Sequence, residues 1–452
     1  MTPPAPSPLE RLLSRIVPVR AGEGRAVVLL FAKIFTLLFA YSLIKPVREM
    51  LILAQQTAEV RSYVLALQAV ALMVVIPAYT MVLRRVFPHY HLVPWITVFL
   101  AANLFAFMAC GHAGYAIGVP FFIWLGIFNV MIVAQFWAFA ADLFSVESGE
   151  RLFVLIAIGA SLGAWTGAEA SQVMLALLGP YPLMALTAAL LLATVPVIPR
   201  ARAAVPAASR PPAPAQPEHR AELRGVLGGF RLVLADPYLR LIAVFMVLLN
   251  CVNSTGEYLL AAIVREHALA VAGPAHAAQW IGEFYSSQNA WVNRLGLLVQ
   301  VFLVARVFRL IGVGGATLVL PAVALVGYSL IAWFPIFTAI RAVKIAENSL
   351  NYSLQNTARH ALVLPCDAEA KYAGKTTIDT FFWRFGDLLQ AGVVWAGHTW
   401  LAASLAQFAA LNLALSALWL LVALALARRY TARTAGAPAD RAIAATPVAT
   451  RS

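Results

Sequence analysis

Three cysteines, Cys110, Cys251 and Cys366, stand far apart in 452 residues. They form no CxxC pair, which excludes a disulfide framework and a thiolate metal scaffold. No HExxH pattern occurs, and no histidine pairs with a cysteine or carboxylate at ligand spacing. Two apparent motifs also fail. Gly159–Gly163 reads GxSxG but lies within a helical stripe of small residues, whereas a hydrolase elbow needs a strand-to-helix turn. Gly374-Lys375-Thr376 resembles the end of a phosphate-binding loop, but Glu369 stands where its first glycine belongs. Charge is scarce as well, at 12% of residues against about a quarter in soluble domains. These absences exclude an ordinary water-soluble enzyme and imply no cofactor and no metal.

What is abundant is apolar: 62% of the residues are hydrophobic. A membrane-spanning helix needs roughly 20 mainly apolar residues. Twelve stretches meet that need, at 25–47, 62–83, 93–111, 117–141, 153–177, 181–199, 239–263, 279–305, 312–333, 335–358, 377–397 and 403–427. A Pro- and Ala-rich break at 200–238 reads as a linker, with a short helix expected near 225–237. The expected domains are an N-tail (1–24), a first six-helix half (25–199), the linker (200–238), a second half (239–427) and a C-tail (428–452). The segment LERLLSRI in the N-tail predicts a short surface helix. The fold class expected is all-α, with twelve transmembrane helices in two six-helix halves, on the plan of the major facilitator transporters. The Gly and Asp-Arg loop signature of that superfamily is absent between spans 2 and 3, where LRRVFPHYH stands instead.

The chain carries 33 basic and 20 acidic residues, a formal charge of +13. Lys and Arg concentrate in the N-tail, the linker, the C-tail and alternate loops, while loops 3–4, 5–6, 9–10 and 11–12 hold none. This predicts both termini on the cytoplasmic side. Much of the excess charge is therefore topology signal and attraction to membrane lipids, and nucleic acid is not an expected partner. Alanine richness and the use of 28 Arg against 5 Lys point to a high-GC bacterial genome, hence to a bacterial inner membrane.

Fourteen charges remain within or beside the spans, and they balance. Lys33, Lys45, Arg48, Arg294, Arg341, Lys344 and Arg384 face Glu49, Glu169, Glu257, Glu283, Glu347, Asp379 and Asp387. A charged side chain at a helix centre costs about 2.5–3.5 kcal/mol, so these groups are expected to face one another or a polar path. In helix 1, Lys45 and Arg48 share a face beside Pro46, reading equally as an anion site or as an interfacial cluster. In helix 7, Glu257 follows the small and polar run Asn250, Asn253, Ser254, Thr255, Gly256, as in a kinked cavity-lining helix. Helix 8 carries Glu283, Gln288, Asn289, Asn293 and Arg294, interleaved with Tyr285 and Trp291. Helix 10 steps Arg341, Lys344, Glu347 along one face. In helix 11, Arg384 and Asp387 can neutralise each other, and Asp379 is expected to pair between helices. Helix 5 shows Gly159, Gly163, Gly167 and Ser171 at four-residue steps, a close-packing stripe, with Glu169 off the stripe.

Two blocks resemble a known family. FWAFAADLFSVESGERLFVLIAIGASLGAWTGA (136–168) and NYSLQNTARHALVLPCDAEAKYAGKTTID (351–379) are similar to the loop–helix 5 and helix 10–11 blocks of the ATP/ADP translocases of plastids and intracellular bacteria. LIKPVRE at the end of helix 1 looks like that family's lysine-bearing helix end. The resemblance implies a secondary transporter exchanging or importing nucleotides, with Lys45 and Glu257 at family charge positions. Two positions depart: a family glutamate falls at Leu125, and a family lysine at Asp387. The expected substrate-binding residues are Lys45, Arg48, Glu257, Arg294, Arg341, Lys344 and Arg384. The expected coupling or gating residues are Glu169, Glu283, Glu347, Asp379 and Asp387. The partner is a small anionic solute, with ATP/ADP one option. The alternatives are a proton-coupled carrier of a non-nucleotide organic anion or lipid-like molecule, and a non-transporting membrane scaffold or enzyme.

Overall fold

The computed structural model describes residues 7–14, 17–85, 92–206, 209, 226–333, 336–367 and 369–435. The loop 86–91, much of the linker and the C-tail beyond 435 lie outside the described residues. In chain order the helices are α1 (Pro8–Leu13), α2 (Gly24–Gln55), α3 (Ala58–Arg85), α4 (Leu92–His112), α5 (Gly118–Leu143), α6 (Val146–Leu178), α7 (Pro180–Ala193), α8 (Val197–Ala204) and α9 (Val226–Ala235). There follow α10 (Pro237–Leu298), α11 (Val304–Trp333), α12 (Phe337–Leu350), α13 (Asn356–Ala361), α14 (Lys375–Thr377), α15 (Trp383–Leu401) and α16 (Leu405–Ala435). No strand occurs among the described residues.

The twelve sequence spans fall on these helices, several of which run further: α2 to Gln55, α6 back to Val146 and α16 to Ala435. Two long helices each contain a turn at a left-handed glycine. Gly273 (φ 70°), followed by Pro274, divides α10, and Gly312 (φ 68°) divides α11. L side chains rarely adopt this conformation, and proline then restarts the helix at its first turn. Eight helical runs among the described residues are long and apolar enough to cross a membrane, and one, Pro237–Ile331, holds three sequence spans. The two polar spans, 335–358 and 377–397, are missing from that set, and each contains a π turn, at Asn351–Gln355 and Ile378–Phe382. Such turns add a residue to the helical ladder and are frequent at functional sites.

The helices group into two compact units. The first holds α1–α8 and residues 257–297. Its strongest contact joins α2 to α6. Cβ atoms built at Gly163 and Gly167 would lie 2.2 Å from the Phe35 carbonyl oxygen and 2.4 Å from that of Phe39, so only glycine fits. The same register continues to Ser171, whose hydroxyl donates to the Leu43 carbonyl at 3.0 Å. Four-residue steps on both helices thus keep two backbones in contact over three turns. The α5 face carries Phe121, Phe122, Leu125, Phe128, Phe136 and Phe139, each 0% exposed. Leu125 is therefore core, which explains an apolar residue there. Lys33, 1% exposed within α2, donates to the carbonyl and hydroxyl of Thr194 at 3.4 and 3.3 Å. Thr194 caps the C-terminus of α7, where the helix dipole favours a cation.

The start of α2 is clasped by carboxylates. Ser7 and Glu10 form a capping box on α1, and Glu10 also accepts from the backbone of Gly22 at 2.6 Å and Gly24 at 3.2 Å. Glu23 accepts from Ser209 Oγ at 2.8 Å and Arg151 Nη2 at 3.1 Å, and Arg151 Nη1 reaches the Pro18 carbonyl at 2.6 Å. Arg20 pairs with Glu147. The charged loop before α6 is thus an anchoring point. Burial pushes the Glu23 carboxyl up, but the hydrogen bonds from Arg151, the Arg20 N–H and Ser209 outweigh it and hold the group below its usual range.

The second unit holds α9, residues 237–256 and residues 298–435. There α11 lies against α16, with a Cβ at Gly314 meeting the Ala427 carbonyl oxygen at 3.2 Å. Phe245 and Trp419 pack with ring centroids 5.7 Å apart. Asp236 caps residue 238 and accepts both bonds from Arg433 Nη2, at 2.8 and 3.1 Å.

Two outcomes follow. Gly163→Leu should prevent α2–α6 contact and abolish the monodisperse peak in size-exclusion chromatography, whereas Gly114→Ala, which meets no atoms within 4 Å, keeps it apart from a small turn penalty. Because the Glu23 carboxyl is depressed, its contribution is complete above the usual carboxylate range and fades as pH falls through its native value. Glu23→Gln should lower stability by about 2 kcal/mol at pH 7. That difference should shrink when thermal unfolding is repeated below about pH 4.

Candidate functional site

In the first unit the charged residues of α2 are joined by Arg61 of α3, which is outside the predicted set. Glu49, 3% exposed, accepts from Arg48 Nε and Nη2 at 3.0 and 2.5 Å. It also accepts from Arg61 Nε at 2.6 Å and Arg61 Nη2 at 3.3 Å. Arg61 Nη2 then reaches Glu257 Oε2 at 3.9 Å. Both guanidinium groups lie over the Phe122 ring, Arg48 at 4.5 Å and Arg61 at 5.6 Å from its centroid. Lys45 lies one helical turn before Glu49. Arg61 reaches Glu49 because α2 and α3 form a hairpin with a two-residue connection, so positions at similar distances from the turn become neighbours. That short connection was the available signal; Phe122 had none.

A second pairing in this unit joins α10 to α6. Arg294 donates to Glu169 Oε1 through Nε at 3.1 Å and Nη2 at 2.5 Å. Trp165 Nε1 and Gln172 Nε2 each donate to the same carboxylate at 3.1 Å. Arg294 lies 4.7 Å from the centroid of the Trp291 ring. The pair is accessible, with side chains 39% and 29% exposed. Glu283 is exposed and accepts from Gln279 within its own helix at 2.9 Å.

The second unit brings together Lys344, Glu347, Tyr328 and Asn253. Lys344 Nζ lies 2.9 Å from Glu347 Oε2, with side chains 0% and 1% exposed. It also donates to Asn253 Oδ1 at 3.1 Å, and Tyr328 Oη donates to Glu347 at 2.8 Å. A Cβ at Gly256 would lie 1.9 Å from that tyrosine hydroxyl, which accounts for the glycine in the small-residue run. Arg341 lies one turn before Lys344 and is half-buried. Asp387, 2% exposed, accepts from Ser254 Oγ at 2.7 Å, while Arg384 Nη1 stands 3.9 Å away. One expectation is corrected: Asp379 pairs with Lys375 four residues back in its own helical run, at 2.5 Å, not between helices. Residues four apart on a helix face one another, which puts Lys375 within reach.

The predicted residues therefore separate. Lys45, Arg48, Glu257, Arg294, Glu169 and Glu283 belong to the first unit, and Arg341, Lys344, Arg384, Glu347, Asp379 and Asp387 to the second. Chemically, both sets hold carboxylates against arginine or lysine, some sealed and others partly exposed. Such pairs can exchange partners with an entering anion or a proton. Glu49→Gln should leave two buried guanidinium groups short of their acceptor. We expect about 3–5 kcal/mol of lost stability, read as a lowered unfolding midpoint in detergent.

No protein-family model and no curated protein matches the chain. Solved structures do. The nucleoside transporter NupG aligns at a TM-score of 0.61 and 13% identity, over 91% of this chain and 99% of that one. A POT-family transporter in complex with 5-aminolevulinic acid aligns at 0.63 and 11%, over 90% and 97%. A bacterial homolog of the human lysosomal transporter Spinster aligns at 0.53 and 12%, over 91% and 98%. At these identities the similarity is one of fold. The chain has the all-helical, multi-pass membrane fold of the major facilitator transporters.

Proposed function

We propose that this protein is a secondary active transporter that moves a small organic anion, of the nucleotide class, by alternating access. It acts in a bacterial inner membrane with both termini cytoplasmic. The observation that carries the reading is the Glu169–Arg294 pair. A half-accessible guanidinium, stacked on Trp291, is held by a carboxylate that an anionic solute can replace. Displacement frees Glu169 to take a proton or another partner. The solute thereby favours one arrangement of the helices over the other, as a ligand must to shift a conformational equilibrium.

The sequence halves 1–199 and 239–427 are proposed to rock against each other. Three contacts within the first unit join those halves and part in the cycle: Arg61 to Glu257, Arg294 to Glu169, and Ser171 Oγ to Ser286 Oγ at 3.2 Å. Lys45, Arg48, Arg341, Lys344 and Arg384 supply further positive charge. Glu283, Glu347, Asp379 and Asp387 serve coupling or gating. The family resemblance and the nucleoside transporter of this fold support a nucleotide-class cargo. One observation favours a second reading, a proton-coupled carrier of a non-nucleotide organic anion. Asp387 is a buried carboxylate where the resembled family carries a lysine.

Counterflow decides between them. Proteoliposomes loaded with ADP should accumulate labelled ATP, and Arg294→Ala should reduce the rate at least tenfold. Uptake of a non-nucleotide organic anion, without any nucleotide uptake, establishes the second reading. Failure with every anion overturns both.

A further inference from the structure

Helix α10 places Tyr285, Gln288 and Asn289 at i, i+3 and i+4, on one face. They are buried, at 4%, 3% and 7% exposure. Among the described residues, the Tyr285 hydroxyl, both amide atoms of Gln288 and the Asn289 amide nitrogen have no hydrogen-bond partner. Neither does Nη1 of Arg61, a residue 3% exposed. A Cβ built at Gly282, one turn before Tyr285, would lie 3.0 Å from Sδ of Met50, the neighbour of Glu49 on α2, so this stretch of α10 adjoins the charge cluster of α2 and α3.

Native interiors satisfy roughly nine in ten buried polar groups, and each exception calls for a cause. Five orphaned atoms in one neighbourhood are therefore informative. Most of them are donors: Arg61 Nη1, the Tyr285 hydroxyl, Gln288 Nε2 and Asn289 Nδ2, against Gln288 Oε1 as the acceptor among the five. A donor-rich site that includes a guanidinium is complementary to a compact hydrogen-bond-accepting anion.

We infer that Arg61, Tyr285, Gln288 and Asn289 form a buried binding site for a compact anion. The anion is either the carboxylate or phosphate group of a transported solute, or a free inorganic anion. Only the first source rests on the transport reading. Its role is to bridge α3 and α10 beside the Arg61–Glu257 contact. In a cycle that separates those helices, the bound anion then favours the arrangement in which they touch.

The test uses the purified full-length protein in detergent. Thermal unfolding is followed in sodium phosphate, sodium acetate or sodium chloride, against the bulky zwitterion HEPES at equal ionic strength. At least one small anion should raise the midpoint by about 3 °C or more once well above its Kd. Stabilisation by chloride identifies a free inorganic anion, and stabilisation by acetate alone a solute carboxylate; where phosphate alone stabilises, a larger rise with a phosphate monoester identifies a solute phosphate and no rise with it the free ion. Tyr285→Phe, Gln288→Leu and Asn289→Leu should each diminish the rise. In HEPES they should unfold no lower than the wild type, because they remove atoms that lack partners. Absence of any rise, or a full rise in all three variants, overturns the site. So does marked destabilisation of all three in HEPES, which would mean that these atoms have protein partners. Loss of counterflow with anion stabilisation intact removes the transport reading and leaves the site. Counterflow without anion stabilisation does the reverse.

Discussion

A charge on a membrane helix must find a partner, and this constraint organises the protein. Hydrocarbon offers no water to solvate an ammonium or carboxylate, so each intramembrane charge dictates which other element must come close. Glu49 draws α3 back onto α2 through Arg61, and Arg61 in turn reaches Glu257. Glu169 fixes α6 to residue 294 of α10. Lys344 and Glu347 neutralise each other one turn apart and gather Asn253 and Tyr328. Lys33 shows a different solution: it uses the carbonyl end of α7. Packing then completes what charge begins. The Gly163 and Gly167 contacts hold α2 and α6 so close that the ion pairs at the far end of α2 have a fixed base.

The same groups that fix helix positions are the ones available to change them. A salt bridge in a low-dielectric interior is costly to break singly and much less costly to exchange for another partner. Exchange is therefore the natural chemistry of such a network, with an anion or a proton as the incoming species. The exposure of the pairs separates their roles. Lys344–Glu347 is sealed, as befits a pair that shapes its unit, whereas Glu169–Arg294 is partly exposed, as the proposed exchange with a solute requires. Two π turns of the second unit, Asn351–Gln355 and Ile378–Phe382, lie in the helical runs that carry Lys344 and Glu347 and Arg384 and Asp387.

Much of this was legible in the amino-acid sequence because the governing patterns are local. Hydrophobic length placed the spans, a four-residue glycine step placed the α2-facing stripe of α6, and charge balance announced internal pairing. The short helix after the linker and the Arg384–Asp387 neighbourhood were likewise readable from spacing. What escaped was non-local. Arg61 is absent from the predicted set because its partner lies on the other arm of a hairpin. Asp379 was expected to reach another helix because five residues separate it from Arg384, yet Lys375 lay four residues in the other direction. Tyr328 gave no sign at all, since a tyrosine in an apolar span reads as packing until Glu347 is beside it. The orphaned donors at 285–289 were visible as a polar stretch, but only burial separates a dry donor cluster from a wet one.

The central claim is that intramembrane charges are held by one another. A double-mutant cycle on Glu169 and Arg294 tests it most directly, with thermal unfolding midpoints of Glu169→Gln, Arg294→Gln and the double variant compared. The account predicts that each single substitution costs more than the pair together, because each strands the other charge and the double variant leaves two neutral amides that can bond. Additive losses in the double variant would mean that the two residues find separate partners, and would contradict it.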